Sequence, residues 1–198
     1  MIVKKIPAGV YEANCFILVD EDTKEAAVID PGGDAEDLME AVEKVGAKVK
    51  YILLTHGHMD HTGAVLQLEE KYKVPIYINK KDYDLMKNGE YIYGNIGKID
   101  KFLNEGDIFK IGNIEIKCFC TPGHTPGGVC FLAENLVLTG DTLFAGSIGR
   151  TDLAGGDFDT IISSIKNKLM ILPDEITVLP GHGPQSSIGR ERIHNPFL

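Results

Sequence analysis

Tyr51-Ile52-Leu53-Leu54-Thr55-His56-Gly57-His58-Met59-Asp60-His61 is the stretch that decides how this chain is read. An apolar run, suited to a buried strand, leads straight into three histidines and an aspartate within six residues. Half of the chain's six histidines sit there. Imidazole and carboxylate are the ligands that suit zinc, iron and manganese. A solvated loop has no use for such clustering, and a core would have to desolvate all of it at a cost of several kcal/mol. The segment reads as a metal site at the end of a strand.

Three further segments repeat the pattern. His124 follows Cys118-Phe119-Cys120-Thr121-Pro122-Gly123, Asp141 follows Leu136-Val137-Leu138-Thr139-Gly140, and His182 follows Ile176-Thr177-Val178-Leu179-Pro180-Gly181. Glycine lets the backbone turn sharply after each strand, and strand ends gathered on one sheet edge are where α/β folds place their chemistry. The candidate ligands are therefore His56, His58, Asp60, His61, His124, Asp141 and His182. A catalytic zinc takes about three protein ligands and keeps one position open. This set is too large for one such ion and suits two that share a carboxylate. A tight turn at Gly57 lets His56 and His58 face one ion while Asp60 and His61 face the other. The expected first ion takes His56, His58 and His124; the second takes Asp60, His61 and His182; Asp141 bridges them. His194, without a strand-end context, reads as a surface or packing residue.

Two divalent ions about 3.5–4 Å apart hold a bridging water as hydroxide and clamp an oxyanion as it forms. The expected reaction is hydrolysis of a carbonyl or phosphoryl centre, with Asp60 as a catalytic residue that orients the hydroxide. Two such ions keep the centre at about +1 against two carboxylates and a hydroxide, which favours an anionic substrate.

Short β-branched runs at residues 2–6, 14–19, 26–29, 49–54, 76–78, 114–120, 129–132, 136–138 and 176–179 read as strands. Helical periodicity covers residues 35–45, with Asp34 as N-cap, and residues 62–72, 80–87 and 158–169, the last with Asp157 as cap. Strands mixed with helices predict an α/β domain whose sheet is covered by helices. At 198 residues one domain over residues 1–198 is expected. Residues 88–101 read as a loop over the site or a surface excursion. A net charge of −9 argues against nucleic acid and against an anionic membrane surface. With no run long enough to span a bilayer and no signal-peptide h-region at the N-terminus, the cytoplasm is the expected location. Cys15, Cys118, Cys120 and Cys130 form no C-x-x-C pair and read as packing residues, Cys120 being the one nearest in sequence to a ligand.

His56-Gly57-His58-Met59-Asp60-His61 with His124, Asp141 and His182 resembles the metallo-β-lactamase superfamily signature, H-x-H-x-D-H followed by distant His, Asp and His. The likeness covers nearly the whole chain in order and spacing. It implies a four-layer αββα sandwich with a dinuclear site at one edge of two sheets, zinc first among the metals, iron or manganese as alternatives. Thr121-Pro122-Gly123-His124-Thr125-Pro126-Gly127 and Thr139-Gly140-Asp141-Thr142-Leu143-Phe144 are most similar to the glyoxalase II branch, hydrolases of acylated glutathione thioesters. Ser147-Ile148-Gly149-Arg150-Thr151-Asp152 and Gly181-His182-Gly183-Pro184 resemble its short, single-domain bacterial members. S-D-lactoylglutathione or a related thiol ester is then the model substrate. The resemblance places Arg150 beside a substrate carboxylate, with an Asp152 ion pair as the competing reading, and sets Phe144 and Tyr93 either along an acyl pocket or in ordinary packing. The chain ends soon after His182, short of the basic helical domain that grips glutathione in glyoxalase II proper, so the thiol is left open. Persulfide dioxygenases, which resemble the same branch and use one iron, are the competing enzyme class.

Overall fold

Period-two alternation in Ala13–Val19 sorts one strand's side chains into two cores. Cys15, Ile17 and Val19 face a helical layer, while Phe16 and Leu18 face a second sheet. Every residue of that strand is buried, as expected of a strand covered on both sides. A computed structural model describes residues 1–99 and 101–198; Asp100, within the expected 88–101 loop, lies outside the described residues.

The first sheet has the order β1-β2-β3-β4-β5-β6, built from β1 (Ile2–Ala8), β2 (Ala13–Val19), β3 (Glu25–Ile29), β4 (Lys48–Leu53), β5 (Ile76–Asn79) and β6 (Phe102–Leu103). Strands β3 to β6 run parallel. The crossovers carry α1 (Ala35–Lys44), α2 (Met59–Thr62), α3 (Val65–Tyr72) and α4 (Lys80–Asn88). Leu38, Val42, Val65, Leu68 and Tyr83 from these helices close the outer core. The second sheet has the order β14-β13-β10-β9-β8-β7. Its strands are β7 (Ile108–Ile111), β8 (Ile114–Cys120), β9 (Val129–Ala133), β10 (Leu136–Gly140), β13 (Thr177–Pro180) and β14 (Ser186–Ser187), with β11 (Leu143–Phe144) and β12 (Ser147–Ile148) as a separate short hairpin. Phe131, Ile116, Leu138 and Leu179 face the first sheet, and Cys130, Val137 and Val178 face Ile161 of α5 (Phe158–Ser164) and Ile188 of α6 (Ile188–His194). Helices, sheet, sheet, helices: the expected four-layer α/β sandwich is what forms.

The structure departs from the sequence expectations at definite points. The expected helix at 62–72 is two helices, because Gly63 packs against the Gly32 carbonyl, where a β-carbon would sit 2.4 Å from it, and Ala64 donates to Pro31 O. The helix at 158–169 keeps its Asp157 cap, which accepts from Thr160 N, but turns π-helical over Ile165–Leu169. Asp34 is left-handed (φ 48°) and does not cap α1 with its side chain; its carboxylate accepts from Gly9 N instead. Strand β7 and helix α6 were not expected. No described helix is long and apolar enough to cross a membrane.

Parallel strands bring the C-terminal ends of β3 and β4 to one edge, and the second sheet presents the ends of β8, β10 and β13 opposite. Asn14 ties the two together. Its backbone N–H donates to Gly181 O (2.7 Å) and its amide donates to Pro180 O (2.9 Å) and Gly183 O (3.1 Å), on both sides of His182. Asn14→Ala keeps the backbone bond to Gly181 O but removes both amide bonds and strands the buried Pro180 O, so a loss of about 1–3 kcal/mol is expected, read as a lower urea midpoint at unchanged slope.

Candidate metal centre

Thr55, two residues past the end of β4, is held twice by Asp30, which follows β3. Thr55 N donates to Asp30 Oδ1 (2.7 Å) and Thr55 Oγ1 to Oδ2 (2.5 Å). The chain then turns through Gly57, where the Tyr93 ring would come within 2.9 Å of an added β-carbon. His58 is extended and caps α2, which carries Asp60 and His61, and the His61 ring lies 4.2 Å by centroid from that of His56. Across the gap, the turn after β8 delivers His124, and β10 and β13 deliver Asp141 and His182, their turns joined by Gly181 N donating to Gly140 O (2.8 Å). Gly181 has to be glycine, since a β-carbon would lie 2.3 Å from Asp141 Oδ1.

The side chains converge in three overlapping groups, one of them Asp30, His56 and His61. Ligand atoms of His56, His58 and His124 lie within 4.8 Å of one another, as do those of Asp60, His61 and His182. Asp141 sits between: its Oδ1 is 3.4 Å from His61 Nε2, and its Oδ2 is 3.6 Å from His124 Nε2 and 3.7 Å from His182 Nε2. The seven side chains named from the sequence therefore lie together at this edge, and the buried Asp30 joins them. The second nitrogens are already committed. His124 Nδ1 faces Arg150 O (2.7 Å), His56 Nδ1 faces Thr55 Oγ1 (3.1 Å), and His61 Nδ1 faces Asp30 Oδ2 (3.0 Å). Such partners fix the tautomer and aim the other nitrogen at an ion. Buried His56 Nε2, His58 Nε2 and Asp141 Oδ1 have no hydrogen-bond partner. Orphaned donors and acceptors of this kind, in an all-imidazole and carboxylate set, fit divalent metal.

Protonation divides the same way. Burial, with neighbouring histidines, holds His56 well below its ordinary value and takes His58 down to about 3; burial also lowers His124. These rings are neutral and offer lone pairs at neutral pH. Burial pushes Asp141 up, but His61, His124 and His182 outweigh it and hold it down at about 2. Burial draws His61 down, yet Asp141 and Asp30 outweigh that and keep it well above the usual range; the Asp60 hydrogen bond raises His182.

Above the cluster opens a cleft of about 780 Å³, floored by His58, Asp60, His124, Asp141 and His182. Tyr11, Met59, Tyr91, Phe144 and Leu153 line its walls. Phe144 is thus on the pocket wall, its ring 6.4 Å from that of His182. Arg150 also lines the cleft, and its guanidinium holds Asp152 with two bonds of 2.7 Å, the ion pair that was its competing reading. Tyr93 is a packing residue: its ring stacks edge-on against His58 and its hydroxyl donates to Ala154 O. Of the expected 88–101 loop, residues 91–92 are no mere surface excursion, since Met59 N donates to Ile92 O, and Tyr91 and Ile92 reach the cleft. His194 is exposed, and Cys15, Cys118 and Cys130 are buried in the cores, while half-buried Cys120 opens on a separate groove beside Glu105 and Lys168.

Sequence reasoning missed two buried carboxylates, Asp30 and Asp82. Asp30 had a signal: it follows the apolar run 26–29 and precedes Pro31-Gly32-Gly33, the same strand–turn grammar as Asp141. Asp82 lies on a helix that reads as polar and gave none.

The description of the metallo-beta-lactamase superfamily matches residues 8–182. The chain belongs to the metallo-beta-lactamase superfamily. Among relatives in this superfamily, hydroxyacylglutathione hydrolase GloC of Haemophilus influenzae is 42% identical, over all of this chain and 98% of that one. A B3 metallo-beta-lactamase structure, BLEG-1, is similar at TM-score 0.89 and 38% identity, covering 100% of this chain and 99% of its own. TTHA1623 in a di-iron-bound form is similar at TM-score 0.88 and 34% identity, covering 99% and 100%. Superfamily members bind divalent metals, and iron in one such neighbour leaves the choice of metal open.

Burial raises Asp82 from 3.8 to about 6, against the pull of its donors and of Lys81, and its carboxylate in turn helps raise Tyr93. A carboxyl whose folded value exceeds its unfolded value binds the proton more tightly when folded. Its contribution to stability is therefore full below about pH 4, lost as pH rises to about 6, and level above that. Urea titrations of the metal-free chain against Asp82→Asn should differ by that slope between pH 4 and 6, and by none above it.

Proposed function

We propose that this chain is a two-metal hydrolase of small anionic acyl thioesters, with S-D-lactoylglutathione or a related thiol ester as model substrate. The observation that carries the reading is Asp141, placed between two three-residue clusters at the floor of one cleft. His56, His58 and His124 would hold one ion, Asp60, His61 and His182 the other, and Asp141 both. When bound, two divalent ions supply Lewis acidity and make water a nucleophile at neutral pH. Zinc is the first expectation, iron or manganese the alternatives.

The chain's own groups do the rest. Asp60 Oδ2 lies 3.1 Å from His182 Nε2 and is part-exposed to the cleft, where it is placed to accept the proton of the attacking water and orient its lone pair toward the thioester carbonyl. Phe144, Tyr11, Met59 and Tyr91 give the acyl and thiol arms an apolar wall that excludes bulk water. Arg150, at the rim and exposed, would exchange Asp152 for a substrate carboxylate. The name of the relative in Haemophilus influenzae supports the thioester class. The four free thiols support a reducing compartment, hence the cytoplasm, and we take residues 1–198 to act as one domain without nucleic acid or membrane.

Metal analysis of the purified chain is expected to give two ions per chain, with thioester hydrolysis lost on chelation and greater than any β-lactam hydrolysis. Replacing Asp60 and His61 together by alanine should leave one ion and lower kcat by at least about 100-fold. Unchanged hydrolysis in that variant refutes the assignment. One iron per chain with oxygen uptake on a persulfide would replace the hydrolase by an oxygenase.

A further inference from the structure

Asp82 is fully buried on α4 and contributes nothing to the cleft. Three donors converge on it: Gly57 N (2.8 Å) and Thr125 Oγ1 (2.8 Å) at Oδ2, and Gly127 N (2.7 Å) at Oδ1. Gly57 stands between His56 and His58, whereas Thr125 and Gly127 follow His124. One carboxylate thus clips the turn after β4, from the first sheet, to the turn after β8, from the second. Both turns are shaped around it: a β-carbon on Gly127 would come within 2.6 Å of Asp82 Oδ1, and one on Gly57 within 3.2 Å of Asp82 Cβ.

An ionised carboxylate buried without a salt bridge is a costly choice for a mere packing position. Among the described residues no cation pairs with Asp82. The chemistry of the three donors explains the residue type. Asparagine would offer one acceptor oxygen and turn an N–H₂ toward a backbone N–H, so only a carboxylate accepts from all three. Asp30 makes the matching clip on the other side, but it touches a ligand directly, through His61 Nδ1. Asp82 hydrogen-bonds no imidazole and works through two backbone N–H groups and the Thr125 hydroxyl.

We propose that Asp82 is a positioning residue that sets the spacing of His56, His58 and His124, and so governs the first ion independently of the second. The inference rests on the two-metal reading given above. Loss of such an outer partner weakens metal binding by about 10–100-fold.

Asp82→Asn is the test, with Asp20→Asn as control. Asp20 is a buried carboxylate at the far end of β2, holding the N–H groups of Asp22, Thr23 and Asn113. In Asp82→Asn, competition titration should show one ion bound as in the parent chain and the other weakened at least about tenfold. The visible spectrum of the cobalt-loaded chain should lose one site's bands, and kcat lost at limiting metal should return at excess metal. Asp20→Asn should lower Tm while leaving both ions and the cobalt spectrum unchanged. Thr125→Val, which removes one of the three donors, should shift the same ion less, and it carries the test if Asp82→Asn does not fold. Parent affinity for both ions in the Asp82 or Thr125 variant overturns the proposal. If the parent chain binds no ion, the two-metal reading fails; amide exchange then decides the clip, which stands if Gly57 and Gly127 exchange faster in the metal-free variant and falls if they do not.

Discussion

Imidazole rings packed with their lone pairs toward one another are the constraint around which this molecule is arranged. His56 and His58 lie 4.7 Å apart by ring centroid, His58 and His124 likewise 4.7 Å, and the Nδ1 of His58 faces the Nε2 of His124 at 3.0 Å. Without positive charge between them, such groups repel or fail to find donors, and buried orphans cost on the order of 1–3 kcal/mol each. The fold has to hold them together by means other than their own attraction. It does so with backbone. His56, His58, His124, Asp141 and His182 stand shortly past the end of a strand whose register is fixed by a buried sheet, while Asp60 and His61 ride on α2, so that their positions are inherited from packed elements rather than chosen by a flexible loop.

Joining the two sheets is then the harder problem, because each supplies only part of the cluster. Asn14 ties β2 to the turn that bears His182, Val129 N donates to Thr55 O across the gap, and Asp82 clips the turn of His56 and His58 to that of His124. Asp30 performs the same service within the first sheet, restraining Thr55 and His61 together. These contacts use buried polar groups with every strong acceptor filled. That is the arrangement in which polar networks specify a unique geometry rather than weaken a core.

The strand-end grammar explains what could be read in advance. An apolar run followed by a short turn and then His or Asp, with Gly just before it in three of the four units, carries its position in one dimension and marked the side chains that gather at this edge. The layers followed for the same reason, since β-branched runs of five to seven residues leave few alternatives. Elements whose formation depends on distant partners were not legible. Ile108–Ile111 is a strand because β8 pairs with it, and Ile188–His194 is a helix because Ser187 caps it and Ile188 finds a place under the second sheet. Asp34 failed as a cap because Gly9, far away in sequence, takes its carboxylate. Asp82 stayed invisible because its three partners come from two other segments and no local pattern marks a buried carboxylate on a polar helix.

A division of labour follows from where the parts are anchored. The clustered ligands hang from strand ends and from carboxylate clips, which leaves them little freedom. The walls of the cleft do not: Tyr11 comes from the β1–β2 turn, Tyr91 from the segment after α4, Phe144 from a two-residue strand and Leu153 from the stretch before α5. Tyr11 and Tyr91 are 66% and 78% exposed, unusual for large apolar side chains gathered at one mouth. Loops of this kind tolerate change without disturbing the sheets behind them. In the proposed reading, the centre therefore fixes the bond that is broken, while these few exposed side chains fix what is attached to it. On that reading, a change at the rim alters substrate choice without moving the seven clustered side chains or their clips. A shared set of strand-end histidines is accordingly stronger ground for a reaction class than for any one thiol.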